Sequence, residues 1–173
     1  VGTGCQVCAL RGSAYATKGG IGSAAIDLGN GLIVAALVAV NAVGEILDEQ
    51  GKILAGLRDD VGGFMPIMEA FRLLPPPPVA AATVIGVVAT NARLTKAEVN
   101  KVAQMAHDGL ARAVRPAHTM YDGDTFFALA SGVIPADVNL IGMYGAEAVT
   151  QAIRSGVRAA QSLGGVRACY TQG

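Results

Sequence analysis

Four consecutive prolines at positions 75–78 constrain the fold more than any other feature of this sequence. Proline has no backbone N–H to donate and its ring clashes inside a helix, so neither a helix nor an internal strand can cross these positions. A run of prolines favours the extended polyproline conformation, which is stiff and exposed. The segment 75–82 is therefore predicted to be a linker between residues 1–82 and 83–173. The whole chain of 173 residues has the length of a single domain.

The sequence before the linker has the pattern of β-hairpins. Residues 23–28 predict a strand, and Gly29-Asn30-Gly31 predicts a tight turn, because Asn and Gly tolerate a positive φ. Residues 32–40 are apolar at every position, which predicts a central strand covered on both faces.

After the linker, strands and helices alternate. Residues 83–90 and 124–130 predict strands. Thr95 and Glu98 have the spacing of a capping box, so a helix is predicted to begin there, and a second helix is predicted over 135–163. This order of elements predicts an α+β domain in which helices cover an antiparallel sheet.

The composition argues against nucleic-acid and membrane partners. Thirteen basic residues balance thirteen acidic ones, so the chain has no excess charge to attract a phosphate backbone or an anionic lipid surface. Aromatic residues make up only 5%, which leaves few platforms for stacked bases. The longest apolar run, Leu32 to Val40, lies in an uncharged stretch, 28–44, that is interrupted by Gly and Asn and falls short of the roughly 20 apolar residues of a spanning helix. A cytoplasmic location is favoured.

The three cysteines are Cys5, Cys8 and Cys169, and an odd number argues against a complete disulfide framework. Cys5 and Cys8 have CxxC spacing, but neither a second CxxC nor a histidine pair at metal-ligand spacing accompanies them. Small buried thiols are the favoured interpretation, and a metal or redox site is the minority one. We expect no metal and no organic cofactor.

Two carboxylates, Asp122 and Asp124, bracket Gly123 just before an apolar strand. Alternate positions on a strand point to the same side, so the pair could bind an ammonium or a hydroxyl, or act as a base and its orienting group. Asp-Gly-Asp is also common in turns, and the residues alone favour that interpretation. His118 lies close by, where a structural hydrogen bond is expected, and His107 is expected on the capped helix as a solvated or boundary residue.

Two blocks of the sequence resemble the family of β-peptidyl aminopeptidases, D-aminopeptidases and nylon-oligomer hydrolases. Residues 83–100, TVIGVVATNARLTKAEVN, are similar to the start of the family's small subunit, and residues 115–128, RPAHTMYDGDTFFA, are similar to its second hallmark block. Shorter similarities precede them in the same order: Gly2-Thr3-Gly4, Leu10-Arg11-Gly12, Lys18 to Gly22 and Val38 to Asn41. The resemblance extends from about residue 2 to residue 157.

Members of this family are made as one precursor that cuts itself before a Ser or Thr. The resemblance therefore implies cleavage between Ala82 and Thr83, with 1–82 as the C-terminal part of the large-subunit region and 83–173 as the small-subunit region. It implies a layered αββα sandwich of N-terminal-nucleophile hydrolase type and homo-oligomers of the cleaved pair. Family members are longer, so a preceding segment that supplies a Tyr to the site is expected before Val1.

The resemblance also implies a role for each candidate residue. Thr83 would be the nucleophile, and its freed α-amino group, with an ordinary pKa near ~7.7–8.0, would be the base. Asn41 would donate to the oxyanion, and Asp122 and Asp124 would hold and polarise the threonine and its ammonium. The expected function is an amide hydrolase, either an aminopeptidase or an amide-oligomer hydrolase, acting on a small peptide or amide.

Two alternatives stay open. Ala82 stands where the family usually has Asn, and Ala9 stands where it commonly has Lys. These departures suit a homologue that has lost catalysis and keeps the fold as a self-assembling structural protein. The second alternative is acyl transfer to an amine, as in fold-related amino-acid acetyltransferases, and no feature of the sequence selects transfer over hydrolysis.

Overall fold

The protein is built on a four-stranded sheet with two long helices on one face. The computed structural model describes residues 4–75 and 82–170. The helices and strands are, in chain order, β1 (Gln6–Val7), β2 (Thr17–Lys18), β3 (Ile21–Asp27), β4 (Ile33–Ala39), β5 (Glu45–Leu47), β6 (Ile53–Ala55), β7 (Leu57–Arg58), β8 (Phe64–Met65), α1 (Ile67–Leu73), β9 (Ile85–Arg93), α2 (Lys96–Ala113), β10 (Val114–Arg115), β11 (Thr125–Pro135) and α3 (Val138–Arg158). The central sheet has the order β11-β9-β4-β3, so strands from both sides of the proline run lie in one sheet.

The turn between β3 and β4 confirms the predicted hairpin. Asn30 has φ 53°, and Gly29 and Gly31 also have positive φ values. This left-handed backbone suits the tight connection of two antiparallel strands, and Asn and Gly tolerate it better than other residues do. The two strands then pair from Ile21 with Ala39 to Asp27 with Ile33.

The two long helices begin with side-chain caps. Thr95 accepts the Glu98 N–H while the Glu98 carboxylate accepts the Thr95 N–H, which confirms the predicted capping box. Helix α3 approaches β3 so closely that a Cβ on Gly22 would overlap the Ala152 carbonyl oxygen. Throughout the described ranges, no helix is both long enough and apolar enough to cross a membrane.

The predicted type of sheet and the predicted end of the second long helix are wrong. The sheet is mixed rather than antiparallel, because α2 carries the chain back across the sheet and lays β11 parallel to β9. The second long helix ends at Arg158 rather than at residue 163. The residues beyond it turn back instead, and the Ser162 hydroxyl accepts the Ala168 N–H at 2.9 Å.

The prediction that residues 32–40 are covered on both faces is also wrong. Along β4, Val34 and Val38 are buried beneath the helices, whereas Ile33 and Leu37 are 43% and 50% exposed. Both helices pack on the same side of the sheet, so the apolar residues of the other side face outward. The same open face carries further exposed apolar side chains: Ile85, Phe127, Leu129 and Val133.

A smaller sheet, in the order β10-β5-β6, supports the segment that leads from α2 to β11. Its key side chain is Glu45, which is fully buried. The Arg115 Nε–H donates to one carboxylate oxygen of Glu45 at 3.0 Å, and the Ile67 N–H donates to the other at 3.0 Å. This charged contact holds the start of α1 and the end of β10 against β5.

Candidate active site

Thr83 lies at the edge of the sheet where three neighbouring strands end or begin. Strand β4 ends two residues before Asn41, β9 begins two residues after Thr83, and β11 begins directly after Asp124. Ile85, the first residue of β9, is paired with both neighbouring strands. The predicted site residues from three separate parts of the chain therefore meet at one edge.

The peptide group between Ala82 and Thr83 is held at both of its polar atoms. The Thr83 N–H donates to the Asn41 carbonyl at 2.8 Å, and the Gly123 N–H donates to the Ala82 carbonyl at 3.1 Å. The Thr83 hydroxyl donates to the same Ala82 oxygen at 2.7 Å. The hydroxyl of the predicted nucleophile therefore lies beside the carbonyl of the peptide bond that precedes it.

The side chain of Asn41 is oriented by a backbone contact. The Gln6 N–H donates to Asn41 Oδ1 at 2.9 Å. Only the oxygen of a carboxamide can accept this hydrogen bond, so the contact fixes which end of the side chain is the donor. The Nδ2 group of Asn41 is consequently the end that can donate to a bound carbonyl or oxyanion.

Asp124 reaches across to the start of the nucleophile strand. Its Oδ1 accepts the Val84 N–H at 2.9 Å, and its side chain is only 3% exposed. Burial raises the pKa of Asp124, the Val84 hydrogen bond opposes that shift, and the nearby Asp122 charge adds to it. Its Oδ2 lies 3.8 Å from His118 Nδ1, a favourable contact when the imidazole is protonated.

Asp122 instead closes its own loop. Its Oδ2 accepts the Thr119 N–H at 3.0 Å and the Thr119 hydroxyl at 2.6 Å. Both aspartates precede β11, so they do not alternate along a strand as their spacing predicted, and they bind different partners. The turn interpretation fits Asp122, and the catalytic roles of both carboxylates stay predictions.

Two neighbouring histidines lie near Asp124, and His118 is the one beside its carboxylate. His118 has φ 58°, a left-handed conformation that is uncommon outside glycine. Its ring centroid lies 4.9 Å from that of His107, which in turn meets the edge of the Phe126 ring at 5.2 Å. Burial, followed by the neighbouring His118, lowers the pKa of His107.

A cavity of about 360 Å³ opens beside Asn41 and Ala82. Gln6, Ala9 and Leu10 form part of its wall, and none of the described residues that line it is charged. Because Ala82 lines the cavity, the space lies on the acyl side of the 82–83 peptide bond.

All three cysteines are free thiols, with Cys8 buried and Cys5 and Cys169 half-buried. Burial raises the pKa of each of these thiols. Within residues 4–75 and 82–170, no three His, Cys, Asp or Glu side chains lie close enough together to hold a metal ion.

Sequence reasoning missed two contributors to the site, Gly123 and Gln6. A Cβ at position 123 would lie 2.8 Å from Thr83 Oγ1, so glycine leaves the space that the hydroxyl occupies. The glycine between two aspartates was a visible signal, but its contact with Thr83 depends on the fold. Gln6 acts through its backbone N–H, which every residue except proline has. The residue type at position 6 therefore carries no signal for this role.

A model of peptidase family S58 matches residues 2–170. This chain belongs to peptidase family S58. The S58 chain is 40% identical over 169 residues to an uncharacterized aminopeptidase of Mycobacterium leprae, a match that covers 86% of this chain and 47% of the relative. It is 38% identical over 121 residues to a 6-aminohexanoate-oligomer endohydrolase of Kocuria sp. (strain KY2), covering 66% of this chain and 34% of that enzyme. The S58 chain thus spans about half or less of the length of these curated relatives.

Solved structures place the S58 chain in a known fold. A Burkholderia sp. beta-aminopeptidase aligns with a TM-score of 0.62 at 28% identity, covering 90% of this chain and 44% of that one. An L-aminopeptidase D-Ala-esterase/amidase from Ochrobactrum anthropi, described as a variant of the Ntn-hydrolase fold, aligns with a TM-score of 0.61 at 21% identity, covering 89% and 46%. At that lower identity the likeness shows the fold alone. The predicted family and the predicted α+β sandwich of N-terminal-nucleophile hydrolase type are both confirmed.

Proposed function

We propose that this S58 chain carries the nucleophile of a self-processing amide hydrolase, and that Thr83 becomes this nucleophile when the 82–83 peptide bond is cut. The observation that carries the proposal is the set of contacts around that bond. The Thr83 hydroxyl lies 2.7 Å from the Ala82 oxygen, and Asn41 binds the Thr83 N–H at 2.8 Å. The names of the relatives, an aminopeptidase and an amide-oligomer hydrolase, support an amide bond as the target.

Cleavage supplies Thr83 with its own base. The nitrogen of Thr83 becomes an α-amino group, whose ordinary pKa near ~7.7–8.0 suits proton transfer close to neutral pH. The neutral amine takes the hydroxyl proton as the oxygen attacks the substrate carbonyl, and it returns that proton to the leaving amine. The acyl group is then bound as an ester to Thr83, and water hydrolyses the ester.

Asn41 stabilises the negative oxygen that forms during the attack. Its Oδ1 is occupied by the Gln6 N–H, so its Nδ2 is the end of the carboxamide that faces a bound carbonyl. Asn41 lines the same cavity as Ala82, so its amide lies on the side where the acyl group of a substrate takes the place of Ala82. Loss of one such donor typically lowers kcat about 10²- to 10³-fold.

Asp124 fixes the residue next to the nucleophile and provides a negative charge near the new amine. Its bond to the Val84 N–H at 2.9 Å joins the loop before β11 to the start of β9. A carboxylate near an α-ammonium holds that group in place while the site is at rest. Asp122 contributes indirectly, by keeping the loop closed through Thr119.

The cavity supports a substrate class. Its volume of about 360 Å³ and its uncharged lining suit a small acyl group whose side chain is uncharged. Short peptides and linear amide oligomers with such an acyl group meet this requirement. We therefore expect hydrolysis of anilides of amino acids with small neutral side chains, or of short 6-aminohexanoate oligomers.

A second candidate is a homologue that has lost catalysis and serves as a structural protein. The observation that favours it is Ala9, which lines the cavity with a methyl group where the family commonly has a lysine. Such a protein would stay uncut at 82–83 and would hydrolyse none of these amides.

Activity assays of two Thr83 variants separate the candidates. Thr83→Ala lacks the hydroxyl and should reduce hydrolysis of amino-acid anilides and 6-aminohexanoate oligomers to background. Thr83→Ser retains a hydroxyl and should keep both measurable turnover and cleavage at 82–83, which the alanine variant loses. Turnover by Thr83→Ala at the wild-type rate would refute the proposed nucleophile.

A further inference from the structure

Gly123 lies directly opposite the peptide bond that the proposed function requires to break. Its N–H donates to the Ala82 carbonyl at 3.1 Å, and the same oxygen accepts a hydrogen bond from the Thr83 hydroxyl. Both donors therefore converge on the carbonyl that the hydroxyl would attack. No other backbone N–H of the described residues donates to this oxygen.

The need for glycine at this position is spatial. Gly123 is not among the glycines with a positive φ, so its backbone conformation is open to other residues. A Cβ at position 123 would, however, lie 2.8 Å from Thr83 Oγ1. Glycine thus brings a backbone donor to the Ala82 oxygen while leaving room for the attacking hydroxyl.

Contacts on both sides hold the Gly123 N–H in place. On one side, Asp122 closes its loop through two hydrogen bonds to Thr119. On the other, Asp124 accepts the Val84 N–H at 2.9 Å, and the Thr125 N–H donates to the Val84 carbonyl at 2.9 Å. The donor is consequently fixed against the 82–84 segment before any reaction begins, which is the property that makes such donors effective.

We infer that the Gly123 peptide N–H is the oxyanion donor for self-cleavage at 82–83, an inference that rests on the proposed function. Thr83 Oγ attacks the Ala82 carbonyl carbon, and the negative charge that develops on the Ala82 oxygen is stabilised by the Gly123 N–H. The hydroxyl proton passes to the Thr83 nitrogen, and the carbon–nitrogen bond breaks. The products of this step are an ester between the Ala82 acyl group and Thr83 Oγ, and a free amine. Water then hydrolyses the ester to a carboxylate on Ala82 and a hydroxyl on Thr83.

In the same step, the backbone carbonyl of Asn41 binds the nitrogen of the peptide bond that breaks. Its carbonyl already accepts the Thr83 N–H at 2.8 Å, so it stays hydrogen-bonded as this nitrogen becomes an amine. Gly123 and Asn41 thus bind opposite ends of the reacting peptide group. This division leaves the Asn41 side chain free to act on substrate carbonyls after processing.

A backbone substitution tests the donor directly. Replacing the residue 123 amide with an ester, by incorporating glycolic acid at that position during cell-free translation, removes the N–H and adds no side chain. We expect the two fragments to form about 100-fold more slowly than in the wild type. Gly123→Ala should also block cleavage, because its Cβ displaces the Thr83 hydroxyl.

Gly63 provides a matched control. Its N–H also donates to a nearby group, the Asp59 carboxylate at 2.6 Å, and a Cβ there would lie 2.7 Å from the other Asp59 oxygen. The same ester at position 63 should leave the cleavage rate unchanged. A wild-type rate in the residue 123 ester would overturn the role of Gly123 while leaving the proposed function intact. A wild-type chain that never cleaves would overturn both.

Discussion

Asp122 and Asp124 are two residues apart in the chain, yet the fold uses them for different purposes. Asp122 binds Thr119, three residues away in its own loop, through a backbone N–H and a hydroxyl. Asp124 binds Val84, 40 residues away, and its side chain is only 3% exposed. One carboxylate therefore shapes a loop, and the other ties that loop to the strand that follows the predicted nucleophile.

The difference shows that position in a motif does not define a role by itself. The local contact of Asp122 is available to an Asp in many turns, whereas the contact of Asp124 requires β9 and β11 to lie side by side. The buried carboxylate carries the raised pKa, because burial disfavours its charged form. Substitutions at the two positions should therefore separate stability from catalysis.

The largest effect is expected for Asp124→Ala. This variant leaves the Val84 N–H without its acceptor at a residue that is only 1% exposed. An unpaired buried donor costs about 1–3 kcal/mol of unfolding free energy, and we expect amide hydrolysis to fall to background at the same time. Urea unfolding and an anilide assay measure the two losses. Wild-type turnover in Asp124→Ala would contradict the role of this carboxylate.

Asp124→Asn sharpens the comparison, because its Oδ1 still accepts the Val84 N–H while the charge is lost. Burial raises the pKa of Asp124 above the ordinary 3.8, so the folded chain keeps this proton to higher pH than the unfolded chain does. Ionisation of Asp124 therefore lowers the free energy of unfolding as pH rises through the raised pKa. The asparagine variant does not ionise, so its free energy of unfolding does not show this loss.

The measurement that checks this is urea unfolding from pH 3 to 7 in an uncleaved Thr83→Ala background. In this background, the free energy of unfolding of Asp124→Asn relative to that of the Asp124 protein should increase with pH. When Thr83 is retained, the turnover of Asp124→Asn should be strongly reduced. Asp122→Asn is the matched control at the neighbouring carboxylate. A relative stability of Asp124→Asn that decreases with pH would show that the carboxylate is favoured in its charged form.

A smaller effect is expected for Asp122→Ala. It removes two hydrogen bonds to Thr119 in a partly exposed loop, where each net contribution is about 0.5–1.5 kcal/mol. Turnover should decrease less than in Asp124→Ala, because the contact with Val84 remains. Equal losses of turnover at the two positions would show that the carboxylates act as one unit.

The sequence was sufficient to predict the elements whose causes are local. The turn at Asn30 and the capping box at Thr95 follow from side chains within a few residues, and both are confirmed. The burial of residues 32–40 could not be predicted, because an apolar run has the same pattern whether one face or two are covered. The parallel pairing of β11 depends on the path of α2, which periodicity alone does not define.

The candidate site also has features that the sequence indicated and features that depend on the fold. The resemblance to the family located Thr83, Asn41, Asp122 and Asp124, and the fold brings them to one edge of the sheet. It did not indicate that Asp122 and Asp124 would face different partners. The contact of Gly123 with Ala82 joins loops about 40 residues apart through backbone atoms, which carry no residue-specific signal.

The smallest effect is expected for His118→Asn. Asparagine tolerates the left-handed backbone at φ 58°, so the loop should keep its conformation. A protonated His118 lowers the pKa of Asp124 from 3.8 Å away, whereas burial and Asp122 raise it. Loss of the imidazole should therefore raise this pKa further, as measured by carbon NMR of the Asp124 carboxyl. His107→Asn, one ring further out, should change it less.

N-terminal sequencing of the purified protein, combined with its intact mass, tests the central claim most directly. Two fragments, the second beginning Thr83-Val84-Ile85-Gly86, are the expected result, and they should be absent from Thr83→Ala. A single chain that remains uncut at 82–83 in the wild type would mean that the nucleophile amine never forms. Thr83 would then not act as an N-terminal nucleophile.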